Sequence, residues 1–290
     1  MRENNPYANA LDGLHLNDPV TAFFDYCRER EKIRLLREDK TPYPWTSDKI
    51  LQKGRFLNVF REDDRCSKSI ISFAKGLEDD LPMLIQALFF ARWCNKQEVI
   101  DEISSDILMQ PKKLLKKLNS FNNWCNHSAY PVETINWKGL KYSRLNSAAK
   151  LFGIIKCELA KIIIESNGDV IKATSSINSL FKMKNDFPIF MAVIDLAWFR
   201  QDIIHPNSQV PTGIGAVAYL DRLQKYLGLS NHQETCEKMI QLQKEYWPEA
   251  KRTFQPIDIE YQSCECRKYY SYVNGTKLFE GKNVFTAKKN

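Results

Sequence analysis

The stretch LFKMKNDFPIFMAVIDLAWFRQDIIHP, residues 180–206, decides how the rest of the chain is read. Its first residues close an apolar helix, KMKND makes a short polar turn, and Pro188 sits where a first helical turn tolerates a missing N–H. The run FPIFMAVIDLAWF that follows is apolar enough to be buried, so a carboxylate inside it, Asp195, needs a partner or a function. Asp195 and, beyond it, Asp202 are the catalytic candidates of this region. The structural alternative for Asp195 is pairing with an arginine or capping a neighbouring helix.

Helix, tight turn and helix together have the outline of a helix-hairpin-helix, an element that points backbone N–H groups at DNA phosphates. The same helical grammar continues on both sides. Upstream, SRLNSAAKLFGIIKCELAKIIIES (143–166) is the longest helical candidate, stopped by Asn167-Gly168-Asp169, and a helix at about 170–181 follows. LPMLIQALFFARWCN (81–95) is apolar nearly all round and reads as a buried central helix, whereas PKKLLKKL (111–118) is short, basic and amphipathic. Residues 119–142 are irregular and aromatic-rich. Asp18-Pro19 opens the first helix, which breaks at Thr41-Pro42-Tyr43-Pro44; Thr46 or Ser47 is expected to cap a second, ended by Gly54. Downstream, GIGAVAYLDRLQKYLG (213–228), HQETCEKMIQLQKEYW (232–247) and DIEYQSCECRKYY (258–270) supply three more. With 11 glycines in 290 residues and no internal repeat, the pattern predicts one all-α domain spanning 1–290, with tails at 1–17 and 276–290.

A formal charge of +7 allows a polyanionic partner without demanding one. No apolar run is long enough for a membrane span or a secretion signal, so no membrane partner is expected. The eight cysteines form no disulfide framework and no paired zinc spacing, which predicts a cytoplasmic, reduced chain without a metal or other cofactor. GTKLFEGKN has the wrong spacing for a phosphate-binding P-loop, and Asn283 stands where Ser or Thr is required. TGIGAVAYL is more informative: Gly213 and Gly215 precede a helix, where backbone N–H groups could meet a phosphate or the glycines could simply admit a neighbouring helix.

PWTSDKILQKGRFLNVFREDDR (44–65), LFFARWCN, FPIFMAVIDLAWF, TGIGAVAYLDRL and DIEYQSCECRKYYSYVNG follow one another in the chain. In that order they resemble the helical family shared by phage 5-hydroxymethyl-deoxyuridine DNA kinases and the alpha-glutamyl/putrescinyl thymine pyrophosphorylases. The resemblance spans roughly residues 20–275. It implies a fold related to the helix-hairpin-helix DNA glycosylases, and work on modified bases in double-stranded DNA. An anti-phage member of the family removes glucosylated hydroxymethylcytosine. The sequence departs from the family's usual GfG before the central helix, carrying Asn185-Asp186-Phe187 instead.

The resemblance also implies a nucleotide pocket built from Trp45, Asp48, Arg55, Phe56, Asn58 and Arg61, with Glu265, Lys268 and Tyr269 near it or on the DNA backbone. Arginines suit phosphate, Asn58 a base edge, and the aromatics stacking. An Arg–Asp network that merely fixes two helices is the structural alternative. The expected activity is a monofunctional DNA glycosylase that flips out a hypermodified base and cleaves its N-glycosidic bond with help from Asp195 or Asp202. Pro188 and Ile189 stand where bifunctional relatives carry a lysine. The alternative activity is a transferase that replaces pyrophosphate on pyrophosphorylated hydroxymethyluracil by an amine or amino acid, with Arg55, Arg61 and Lys268 holding the leaving group. A non-catalytic DNA-binding module is the third reading.

Overall fold

Helices supply nearly all the regular secondary structure of the computed structural model, which describes residues 18–127, 130–132, 134–277, 279, 284 and 285. In chain order they are α1 (Pro19–Glu38), α2 (Lys49–Lys53), α3 (Arg65–Ala74), α4 (Leu81–Cys94), α5 (Gln97–Ile100), α6 (Ser105–Leu108) and α7 (Pro111–Asn119). A hairpin of β1 (Ile135–Trp137) and β2 (Leu140–Tyr142) follows, paired antiparallel with Ile135 opposite Tyr142. Then come α8 (Arg144–Asn146), α9 (Phe152–Ile164), α10 (Val170–Phe181), α11 (Phe187–Asp195), α12 (Val217–Leu227), α13 (His232–Tyr246) and α14 (Pro256–Val273). The fold is all-α, as the periodicity predicts.

Local chemistry explains most boundaries. Asp18 accepts the N–H groups of Val20 and Thr21, both at 3.0 Å, and Pro19 opens α1. The cap of α2 is Asp48 and not Thr46 or Ser47. Its Oδ1 accepts from Ile50 and Leu51 at 2.7 and 2.8 Å, while the Thr46 hydroxyl accepts the N–H of Asp48 itself. A carboxylate is the stronger acceptor, so the cap shifts one residue beyond the hydroxyls. The helix expected over 143–166 is interrupted by a π-helical turn at Ser147–Leu151. There the Ser147 hydroxyl bonds back to the Ser143 carbonyl at 2.9 Å, competing with the helical ladder. At 20 residues, α1 is longer than α9.

Two compact units divide the chain, one formed by residues up to Arg61 and from Thr212 onward, the other by Glu62–Pro211. In the first, α1, α12, α13 and α14 bury Phe23, Phe24, Phe60, Tyr219, Trp247 and Phe254 in one aromatic core. In the second, α4 packs against α9 and α11 around Phe89, Trp93, Phe152 and Phe181, with Trp93 and Phe152 crossing edge-on at 4.8 Å. Here α10 and α11 are the two helices expected around the KMKND segment, and the turn between them starts at Lys182 with φ +55°. No described helix is long and apolar enough to cross a membrane.

Candidate functional site

The segment Arg55–Phe60 of the first unit is not helical, so its backbone groups must find partners beyond the chain's local ladder. They are met by long polar side chains. Arg30 of α1 donates to the carbonyls of Phe56 and Leu57 at 3.1–3.2 Å. Gln262 donates to the carbonyls of Asn58 and Val59 at 3.0 Å, and Glu265 accepts the Leu57 N–H at 3.0 Å. Lys268 donates to the Arg55 carbonyl and pairs with Glu265 at 3.3 Å. Residues 262, 265 and 268 are three apart and therefore share one face of α14. Phe56 lies between Tyr26, Tyr269 and Tyr272, with the Lys268 ammonium 4.9 Å from its ring centroid.

The sequence-predicted residues of this region thus come together largely as a strap and its fasteners. Asp48 accepts the Tyr269 hydroxyl at 2.8 Å. Burial pushes the Asp48 carboxyl up to about 6, against the N–H groups and the phenol that favour its charged form. The Trp45 indole donates to the Thr41 carbonyl, Arg61 is buried, and Asn58 receives Arg30 on its side-chain oxygen at 3.5 Å. Arg55 alone of the predicted cations is exposed, and its Nε reaches the Val284 carbonyl at 2.9 Å.

Gly213 and Gly215 meet the neighbouring turn of α14. The Gly213 N–H donates to Glu260 Oε1 at 3.0 Å, so the acceptor at this amide is one of the protein's own carboxyl groups. A Cβ on Gly213 would stand 2.9 Å from that oxygen, and one on Gly215 would stand 2.5 Å from Cys264 Sγ. Both glycines therefore serve close packing under residues 260 and 264. Gly215→Ala is expected to cost about 1–3 kcal/mol, the usual penalty of overpacking. Adding Cys264→Ala should recover most of it, a coupling readable by chemical denaturation of the four proteins of the cycle.

Glu260 is 8% exposed. No lysine, arginine or histidine pairs with it among the described residues, and only the Gly213 amide offsets its burial, which pushes the carboxyl up to about 7. Burial raises the thiols of Cys236 and Cys264 too, with the Glu260 carboxyl adding to it, Cys236 to about 12. Between the two glycines Ile214 is 97% exposed.

A second group begins at Thr212, the residue before Gly213. His232, the first residue of α13, holds Thr212 Oγ1 at 3.2 Å on Nδ1 and Asp221 Oδ1 at 2.8 Å on Nε2. Sequence reading misses this trio and Glu260 alike. Residues 212, 221, 232 and 260 sit on a loop and three helices, with no spacing to flag them.

Asp195 and Asp202 belong to the second unit. Asp195 has no exposed surface, and both its oxygens are on Arg92, at 2.5 and 2.9 Å. Arg92 continues to the Tyr130 hydroxyl at 3.0 Å and to Asn95 Oδ1 at 3.3 Å. Burial disfavours the guanidinium charge, but the Asp195 carboxylate outweighs it and holds the pKa of Arg92 above its ordinary value. Asp202 is exposed and forms a two-pronged pair with Arg200 at 2.6 and 2.8 Å. All eight cysteines are free thiols, and no three His, Cys, Asp or Glu side chains gather as a metal site among the described residues.

Residues 18–276 match the family model described as the 5-hmdU DNA kinase, helical domain, and the chain belongs to that family. No curated protein and no solved structure matches it.

Proposed function

We propose that this chain is a DNA-modifying enzyme that excises a hypermodified base from duplex DNA by hydrolysing its N-glycosidic bond, leaving an abasic site. The observation that carries this reading is Glu260, a buried carboxyl held by one backbone N–H, with no cation paired to it among the described residues, behind the turn that exposes Ile214. Such a carboxyl is substantially protonated at neutral pH, the state a general acid needs. As the C1′–N1 bond breaks, the base leaves with the bonding pair and takes the Glu260 proton, while water adds to C1′. Ile214, projecting between two glycines, suits the apolar wedge that enters a base stack when a nucleotide is turned out. The family's description names a modified deoxyuridine in DNA, which supports a modified base as substrate.

The transferase reading gains less. Its pyrophosphate clamp would need Arg55, Arg61 and Lys268. Lys268 serves the strap and Glu265, Arg61 is 4% exposed, and Arg55 binds a chain carbonyl. Asp195, with both oxygens on Arg92, is a weaker acid candidate than Glu260.

The test is incubation with DNA carrying glucosylated hydroxymethylcytosine, with hypermodified-thymine DNA and with unmodified DNA. Abasic sites and free base, the latter by mass spectrometry, are expected from one modified DNA only. Pyrophosphate release from pyrophosphorylated hydroxymethyluracil DNA without abasic sites would replace this reading with the transferase. Salt-dependent binding without either product would leave a binding module.

A further inference from the structure

The geometry points to a proton relay, Thr212–His232–Asp221, that activates the water attacking C1′ in the reaction proposed above, on which this inference rests. His232 bridges a hydroxyl and a carboxylate through its two ring nitrogens, at 3.2 and 2.8 Å. With the Nε2–H donated to Asp221, Nδ1 is left with a lone pair directed at Thr212 Oγ1, the arrangement in which imidazole takes a hydroxyl proton. Thr212 directly precedes Gly213, whose N–H holds Glu260. The hydroxyl at the end of the relay is thereby next in the chain to the amide that holds Glu260 of α14, and an inverting hydrolysis requires a base and an acid in such opposite roles. The trio is also accessible. The side chain of His232 is 21% exposed and that of Asp221 62%, so a water molecule can reach the relay.

In the step, water donates a proton to Thr212 Oγ1 as its oxygen bonds to C1′. Thr212 passes its own proton to His232 Nδ1, and the imidazolium that forms is steadied by Asp221. The C1′–N1 bonding pair departs with the base, which takes the proton of Glu260. Bonds made and broken balance, and water is the only co-reactant. Thr212 is the residue that touches the reacting water, and Asp221 is a positioning residue.

Single-turnover base release should be measured for the wild-type chain, Thr212→Val, Thr212→Ser, His232→Ala and the Thr212→Val/His232→Ala pair, with melting curves alongside. Thr212→Val and His232→Ala are each expected to lose about 10²–10³-fold in rate. The double variant should lose no more than the worse single, because the residues act as one unit. Thr212→Ser should keep most of the rate, and added imidazole should restore activity to His232→Ala. A wild-type chain that releases base while Thr212→Val and His232→Ala keep its rate overturns the relay and leaves the glycosylase standing. Losses that track melting temperature and ignore imidazole overturn it in favour of a structural latch. A wild-type chain that releases no base from any DNA overturns the glycosylase, and the relay with it.

Discussion

Asp195→Ala is expected to destabilise the fold by about 3–5 kcal/mol, because it leaves Arg92 charged and unpaired in the interior. Arg92 is 3% exposed and Asp195 fully buried, and their two-pronged contact at 2.5 and 2.9 Å is the main compensation for taking both charges out of water. The remaining partners of Arg92, Tyr130 and Asn95, are neutral and cannot replace a carboxylate. Arg92→Met with Asp195→Leu should lose far less than either single change, since the desolvation of both ions disappears with the pair. Urea titrations of the three variants check this. Asp195→Asn, assayed per folded molecule, should retain base release. A loss of rate at unchanged stability would instead return Asp195 to the chemistry.

Glu260→Gln is expected to reduce base release by about 10²–10⁴-fold and to stabilise the protein at alkaline pH. The carboxyl moves from an ordinary 4.5 to about 7 in the fold, so the native state binds a proton that the unfolded chain releases between those values. Its contribution is complete below about pH 4.5, declines as pH rises, and is gone above about pH 7. There the native state carries a buried charge facing Cys236 and Cys264. The difference amounts to roughly 3 kcal/mol. Glutamine keeps an oxygen for the Gly213 N–H but carries no charge. The variant should therefore match the parent near pH 4 and exceed it by about that amount at pH 8, as melting curves at the two pH values would show. The parent's base release should fall as pH rises through about 7, the range in which the acid is lost. A variant that is more stable and far slower would mark a group kept for function at the expense of stability.

Much of this molecule can be read residue by residue. Asp18-Pro19 opens α1, Asn167-Gly168-Asp169 separates α9 from α10, and Pro188 lies in the first turn of α11, as their local chemistry dictates. Caps, breakers and apolar periodicity act over about four residues, a range within which a linear string is also a spatial neighbourhood. The π-helical turn at Ser147–Leu151 marks the edge of that legibility, since the periodicity of 143–166 continues through it while the hydrogen-bond pattern does not.

The candidate site lay mostly beyond it. The family resemblance pointed to Arg55–Arg61 and Glu265–Tyr269 as parts of a pocket. That α14 fastens the strap by its backbone, across more than 200 residues of chain, became visible with the packing of the helices. The partner of Asp195 is 103 residues away, and that of Glu260 is 47. A buried carboxylate announces in sequence that it needs a counterpart, but whether that is an arginine or a lone amide depends on which helix packs against it. That choice sets whether the group is tied into a salt bridge, as Asp195 is with Arg92, or left near neutrality with its proton available, as Glu260 is beneath Gly213.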